Sequence, residues 1–138
     1  MSTVAAAKSP GQLFGLVFGA VYVLVGLLGF VGPLVTEGTG GDPDTLLGIF
    51  GINPLHNVAH LLVGALLLIG SRTAATARTV NLVVGVVYLL LAILGFAGGV
   101  IVDDLIKNNP ADSVLHLATA LLAIYFGTAG SVVRTATA

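Results

Sequence analysis

Three histidines and one aspartate are the side chains best placed for chemistry in this very apolar chain. His56 and His60 lie in the phrase NPLHNVAH, and His116 ends the similar phrase NPADSVLH, in which Asp112 stands where the first phrase has His56. Residues four apart share one helical face, so His56 is predicted beside His60 and Asp112 beside His116. Imidazole and carboxylate groups are ordinary ligands of zinc and similar ions.

We consider three roles for these side chains. They could pair with polar neighbours as hydrogen bonds between helices. They could bind a ligand, either a zinc-like divalent ion on His56, His60, Asp112 and His116 or a b-type haem on His60 and His116. They could form a proton or small-ligand site, because histidine titrates near neutral pH. The supporting polar residues are Tyr22, Asn53, Asn57, Tyr88, Asn109 and Ser113.

The composition predicts a protein that lipid covers. Of the 138 residues, 57% are hydrophobic and 8% are charged, against roughly 25% charged in an average soluble domain. The net charge of −1 offers no basic field, so we expect no nucleic-acid partner. There is no cysteine, and Met1 is the only methionine, so disulfides, thiolate zinc sites and copper(I) sites built on sulfur are not expected.

Four apolar runs are long enough for the roughly 20 residues that a bilayer requires. They cover about residues 12–35, 54–71, 79–102 and 111–131. A spanning backbone must satisfy its own hydrogen bonds, so these runs are predicted to be helices of an all-α integral membrane protein. The first run is longer than a cleavable signal and is expected to be retained.

The basic residues predict the orientation of the spans. Four of the five lie on one side, namely Lys8, Arg72, Arg78 and Arg134. By the positive-inside rule, both termini are cytoplasmic, with a leading segment at 1–11 and a tail at 132–138. Lys107 shares the two outer loops with the acidic residues, and the apolar patch 46–50 of the first outer loop is expected at the lipid interface.

The chain reads as a duplicated helical hairpin, with repeats at 12–71 and 79–131. FGAVYVLVGLLGFVG aligns with VGVVYLLLAILGFAG, and the two Asn-Pro phrases align with each other. Both copies run in the same direction, which predicts parallel repeats about a pseudo-twofold axis along the membrane normal. The expected architecture is a four-helix up-down bundle in which the second and fourth spans face the axis.

Small residues and Asn-Pro pairs predict how these helices pack and begin. Asn53 and Asn109 are expected as N-caps, each followed by proline at the first helical position. Glycines also recur at three-to-four spacing beside Tyr22 and beside Tyr88, as expected of close helix contacts in lipid. These residues are Gly15, Gly19, Gly26, Gly29, Gly85, Ala92 and Gly95.

The phrases NPLHNxxHL and DSxLHL, set in four apolar spans, resemble a domain-of-unknown-function family of small bacterial membrane proteins, family 4383. The resemblance covers about residues 14–127. Ser113 stands where the family pattern leads us to expect asparagine. The resemblance implies four helices and an inward-facing polar cluster that includes His56 and Asn57, without implying an activity. We expect the protein to lie in the bacterial inner membrane.

The leading functional hypothesis is an accessory or structural membrane component, working as a homo-oligomer or in a larger assembly. Metal or haem binding is the alternative, and a proton or small-ligand site is the third. No nucleophile beside a base and no phosphate-binding loop occurs in the sequence, so we assign no catalytic residue and lean against an enzyme.

Overall fold

The computed structural model describes residues 7–128, and most of them are helical. The four α-helices are α1 (Pro10–Leu28), α2 (Pro54–Gly70), α3 (Ala74–Ala97) and α4 (Pro110–Gly127). Of the terminal segments predicted to be cytoplasmic, residues 1–6 and 132–138 lie outside the described range. Helices α1, α3 and α4 are long and apolar enough to cross a membrane, and α2 is an apolar helix of 17 residues.

Two of the helices end earlier than the apolar runs that predicted them. The first run extends to residue 35, but α1 ends at Leu28, followed by the Gly29 C-cap and a short 3-10 helix at Gly32–Leu34. The third run extends to residue 102, but α3 ends before Gly98, whose φ of 78° favours glycine. Apolar composition continues past both helix ends, and most of those apolar side chains, including Phe30, Val31, Val100 and Ile101, are exposed.

The connection from α1 to α2 contains a small antiparallel sheet that an all-helical prediction lacks. Its strands are β1 (Val35–Thr36), β2 (Asp44–Leu46) and β3 (Phe50–Ile52), in the order β1-β2-β3. Leu46 and Ile52 are buried, whereas Leu47 and Ile49 in the β2–β3 turn are exposed. Of the patch 46–50 that was predicted at the lipid interface, Leu46 therefore packs into the protein, whereas Leu47 and Ile49 remain exposed. The connection from α3 to α4 contains a π-helix at Ile101–Leu105.

Close backbone contact joins α1 to α2 and α3 to α4, as the small-residue pattern predicts. A Cβ atom added at Gly64 would lie 2.8 Å from the Gly19 carbonyl oxygen and 2.6 Å from the Val23 nitrogen. On the other pair, a Cβ added at Gly85 would lie 3.2 Å from the Ala120 carbonyl oxygen. Only small side chains permit such approach, and in lipid this packing is a main source of helix association.

The four helices share an apolar core at mid-length. Tyr22 and Tyr88, from α1 and α3, meet edge to face with their ring centroids 5.3 Å apart. The other buried members are Phe14, Leu67, Val84, Ala120 and Ala123. The core thus brings the two helix pairs together directly beneath the histidine-bearing ends of α2 and α4.

The loops before α2 and α4 are fastened to each other by an exchange of hydrogen bonds. The Asn53 side-chain amide donates to the Leu105 carbonyl oxygen at 2.8 Å, and the Asn109 amide donates to the Ile49 carbonyl oxygen at 2.7 Å. Each asparagine therefore bonds the residue four positions before the other asparagine. The N-terminal ends of α2 and α4 are held side by side as a result.

Candidate functional site

The predicted capping chemistry places the first turns of α2 and α4. Asn53 Oδ1 accepts from the His56 main-chain N–H at 2.8 Å, and Asn109 Oδ1 accepts from the Asp112 N–H at 3.0 Å. Each asparagine pairs a main-chain N–H that has no partner within the helix. The proline that follows has no N–H, so it leaves no further donor unpaired. By setting where each helix begins, the caps determine the directions of the side chains three and seven residues later, namely His56, His60, Asp112 and His116.

The three histidines meet in the interior between α2 and α4. Their side chains are 2% to 3% exposed. The ring centroids of His56 and His60 are 4.4 Å apart, and those of His116 are 5.9 Å from His56 and 6.3 Å from His60. One nitrogen from each ring can be chosen so that all three lie within 4.8 Å of one another. We call these three residues the histidine cluster.

Five of the six ring nitrogens of the histidine cluster have no hydrogen-bond partner among the described residues. Both nitrogens of His56 and of His60, and Nδ1 of His116, are buried without one. Backbone groups of Gly51 and Ile106 lie near the His56 ring, but the contacts do not meet the distance and angle required of a hydrogen bond. Native proteins pair most of their buried polar atoms, so several unpaired nitrogens in one place call for an explanation.

The two tyrosines form the aromatic base of the cluster. Tyr22 lies against His60 with ring centroids 5.3 Å apart, and Tyr88 lies against His116 at 4.9 Å. The Tyr22 hydroxyl shares a hydrogen bond of 2.8 Å with Thr119 Oγ1. These contacts hold the imidazole planes by packing and leave their nitrogens free.

Asp112 lies beside the cluster but its carboxylate is bonded to main-chain groups. Its Oδ2 atom accepts from the Gly51 N–H at 2.8 Å and from the Asn109 N–H at 2.9 Å. The first bond ties strand β3 to α4, and the second completes a capping box with the Asn109 N-cap. The arrangement brings together three of the four proposed metal ligands and gives the fourth a structural partner.

The remaining supporting residues bind the helices at the same level. Asn57 donates to the Gly29 carbonyl oxygen at 2.9 Å. At Ser113, which the predicted repeat aligns with Asn57, the Asn108 amide donates to the Ser113 hydroxyl at 2.8 Å. Serine has no side-chain amide, so at this position the amide comes from Asn108, where the aligned Asn57 uses its own.

Sequence reasoning missed three contributors, and only two of them carried a signal. Thr119 is a polar residue in an apolar run, three positions after His116 and therefore on its face. Asn108 directly precedes the second Asn-Pro pair. Gly51 acts through its main-chain N–H, which every residue except proline has, so its type gave no indication.

The fold and the site define a mostly helical protein with membrane-capable helices and a buried cluster of three histidines. The chain belongs to the family described as a domain of unknown function, DUF4383, whose match covers residues 12–129. No curated protein and no solved structure matches the chain significantly.

Proposed function

We propose that this protein is a four-span membrane protein that binds a zinc-like divalent metal ion on His56, His60 and His116. The observation that carries the proposal is the set of buried, unpartnered ring nitrogens that can approach one another within 4.8 Å. A bound ion would give one nitrogen of each ring a partner.

The alternative is that the histidines only join helices. That role favours side chains that hydrogen-bond to each other or to nearby groups, since a buried polar group without a partner costs about 1–3 kcal/mol in proteins. The close, tilted contact of the Tyr22 ring with His60 supports such a structural role. The free nitrogens of His56 and His60 weigh against it and favour a ligand.

The cluster geometry suits a single ion better than a haem. Tetrahedral zinc with bonds of about 2.0–2.1 Å needs its nitrogen ligands roughly 3.3 Å apart. The three nitrogens lie within 4.8 Å of one another, so a bound ion would have to draw them closer by side-chain rotation. The 6.3 Å between the His60 and His116 ring centroids would itself allow both imidazoles to bind one iron. A haem also needs open space for its wide, flat macrocycle, and neighbouring rings fill that space: His56 and Tyr22 lie 4.4 and 5.3 Å from His60. These rings would have to move to admit a haem.

The proposed architecture is the predicted up-down bundle of two parallel hairpin repeats. Its main support is the exchange between Asn53 and Leu105 and between Asn109 and Ile49, which relates equivalent positions of the two halves. A second support is the equivalence of the Gly64 and Ala120 contacts. Helix α2, at 17 residues, is at the short end of the length that spans a bilayer.

In this proposal the protein lies in the bacterial inner membrane with both termini cytoplasmic, and the histidine cluster lies toward the outer face. Lys8, Arg72 and Arg78 at one end of the helices support that orientation. Many large apolar side chains on the helices are exposed, as expected of surfaces that face lipid or a further subunit. An accessory role within an oligomer or a larger assembly is compatible with metal binding.

Zinc titration of chelator-treated protein in detergent, in competition with a chromophoric chelator, tests the metal site. We expect the wild type to bind one ion per chain, and His56→Ala, His60→Ala and His116→Ala each to weaken binding at least tenfold. Asn81→Ala, which removes a buried amide bonded to Gly11 at the opposite helix ends, is the matched control and should bind normally. A wild type that binds no zinc, or histidine variants that bind as the wild type does, would overturn the proposal.

A further inference from the structure

A cavity of about 240 Å³ opens between α2 and α3 and reaches the histidine cluster. Its rim includes Val87 and Ile101, which are 45% and 57% exposed on the helix surface. Its floor is formed by the three histidines and Tyr88, all nearly fully buried. The cavity therefore connects the lipid-facing side of the protein to the imidazole rings of the histidine cluster.

The wall of the cavity is apolar, and the polar side chains among its described lining residues lie at the floor. The wall residues are Ala59, Val63, Val87, Leu91, Ile101 and Ile106. Val63 aligns with Thr119 in the proposed repeat, and the Thr119 hydroxyl is hydrogen-bonded to Tyr22. Because position 63 is valine and not threonine, the cavity wall carries no hydroxyl there that could bond a histidine nitrogen.

The shape and chemistry of the cavity indicate an aromatic ligand with one polar end. A dry apolar cavity of about 150 Å³ is enough to bind benzene, so this volume accommodates one substituted ring. The Tyr88 and His116 rings, with centroids 4.9 Å apart, provide an aromatic surface at the floor. A substituent on the ring can extend past the exposed rim into lipid.

We propose that the cavity admits a lipid-soluble phenol or quinol, whose hydroxyl oxygen takes the fourth position on the metal ion held by the histidine cluster. This inference rests on the proposed metal site. Zinc with three protein ligands keeps a fourth position for water or a substrate, and the cavity reaches the cluster from the membrane side. The hydroxyl oxygen replaces a metal-bound water, while the ring fills the apolar part of the cavity.

The test uses cobalt(II)-loaded protein in detergent, because the visible spectrum of cobalt reports its ligands. The probe is 4-hexylphenol, and the control ligand is hexylbenzene, which has the same tail and no hydroxyl. We expect a saturable spectral change with the phenol and none with hexylbenzene. No change with the phenol in protein that holds cobalt would overturn this inference alone, whereas a protein that binds no cobalt would overturn the metal site.

Two variants locate the binding to the cavity. Val63→Phe fills the wall and should keep the cobalt stoichiometry while weakening the phenol response at least tenfold. Leu62→Phe, on the neighbouring position that is 66% exposed and outside the cavity lining, is the matched control and should respond as the wild type does. If Val63→Phe does not fold, Leu91→Phe fills the same cavity from α3. A cavity-filling variant that folds, holds cobalt and responds normally would contradict the proposal.

Discussion

The main-chain N–H of Gly51 donates a 2.8 Å hydrogen bond to Asp112 Oδ2, so strand β3 is tied to the first turn of α4 by a buried carboxylate. The same oxygen accepts from the Asn109 N–H. One side chain therefore satisfies a loop donor and a helix-end donor, at the level where the histidines meet. The sheet and both helix starts should behave as one mechanical unit.

Replacing Asp112 separates its structural role from metal ligation. Asp112→Ala leaves the Gly51 and Asn109 donors unpaired, and we expect it to reduce the free energy of unfolding by about 2–4 kcal/mol. Asp112→Asn keeps an acceptor oxygen and should lose less. Equilibrium unfolding in detergent measures both changes. If Asp112 were a metal ligand, as the sequence suggested, Asp112→Asn would also lose zinc affinity, whereas our three-histidine site predicts nearly unchanged zinc binding.

The contact between α1 and α2 depends on the absence of a side chain at Gly64. Gly64→Ala places a Cβ against the Gly19 carbonyl and the Val23 nitrogen. We expect a loss of about 1–3 kcal/mol from overpacking, despite the better helix propensity of alanine. Gly32→Ala is the matched control, since a Cβ there meets nothing within 4 Å, and it should change stability by about 0.5 kcal/mol or less. Equal stability of the two variants would contradict the packing described.

The proposed duplication predicts that Asn108 and Ser113 can be exchanged together for the residues aligned with them, Ile52 and Asn57. Asn108→Ile alone removes the donor to Ser113, and Ser113→Asn alone crowds Gly95 and Asn108. In the double variant, the new amide can donate to Gly95 as Asn57 does to Gly29. We expect the double variant to be more stable than the sum of the single effects by about 1 kcal/mol or more. Additive effects in a double-mutant cycle would argue against equivalent halves.

Metal-free protein should become more stable when a cluster histidine is made apolar. His60→Leu removes two buried nitrogens that have no partner, and we expect a gain of about 1–3 kcal/mol without metal. Zinc should stabilise the wild type by about 2.7 kcal/mol at a hundredfold excess over its dissociation constant, and should stabilise His60→Leu by less. Thermal unfolding with and without zinc measures both effects. A purely structural role for His60 predicts the opposite sign, a loss of stability without metal.

The sequence carried enough information to predict the helix starts and the meeting of the imidazoles. Asn53 and Asn109 are recognisable as caps because their side chains and the following prolines have local roles. Once the caps are placed, helical spacing puts His60 and His116 at one level, and their ring centroids are 6.3 Å apart in the structure.

The parts that the sequence did not predict depend on main-chain contacts between distant segments. The three short strands, at most three residues each, are too short to show an alternating pattern. The bond between Gly51 and Asp112 uses a main-chain donor, so the acid could be read as a metal ligand from its type and spacing. Asn108 was overlooked because the repeat aligns it with Ile52, an apolar residue.

X-ray absorption at the zinc edge, on zinc-loaded protein in detergent, tests the three-histidine site most directly. We predict three imidazole ligands per zinc at about 2.0–2.1 Å, with a fourth light-atom ligand. In His60→Ala the imidazole scattering should fall to that of two rings. Zinc bound without imidazole scattering, or with scattering that His60→Ala leaves unchanged, would contradict the proposed metal site.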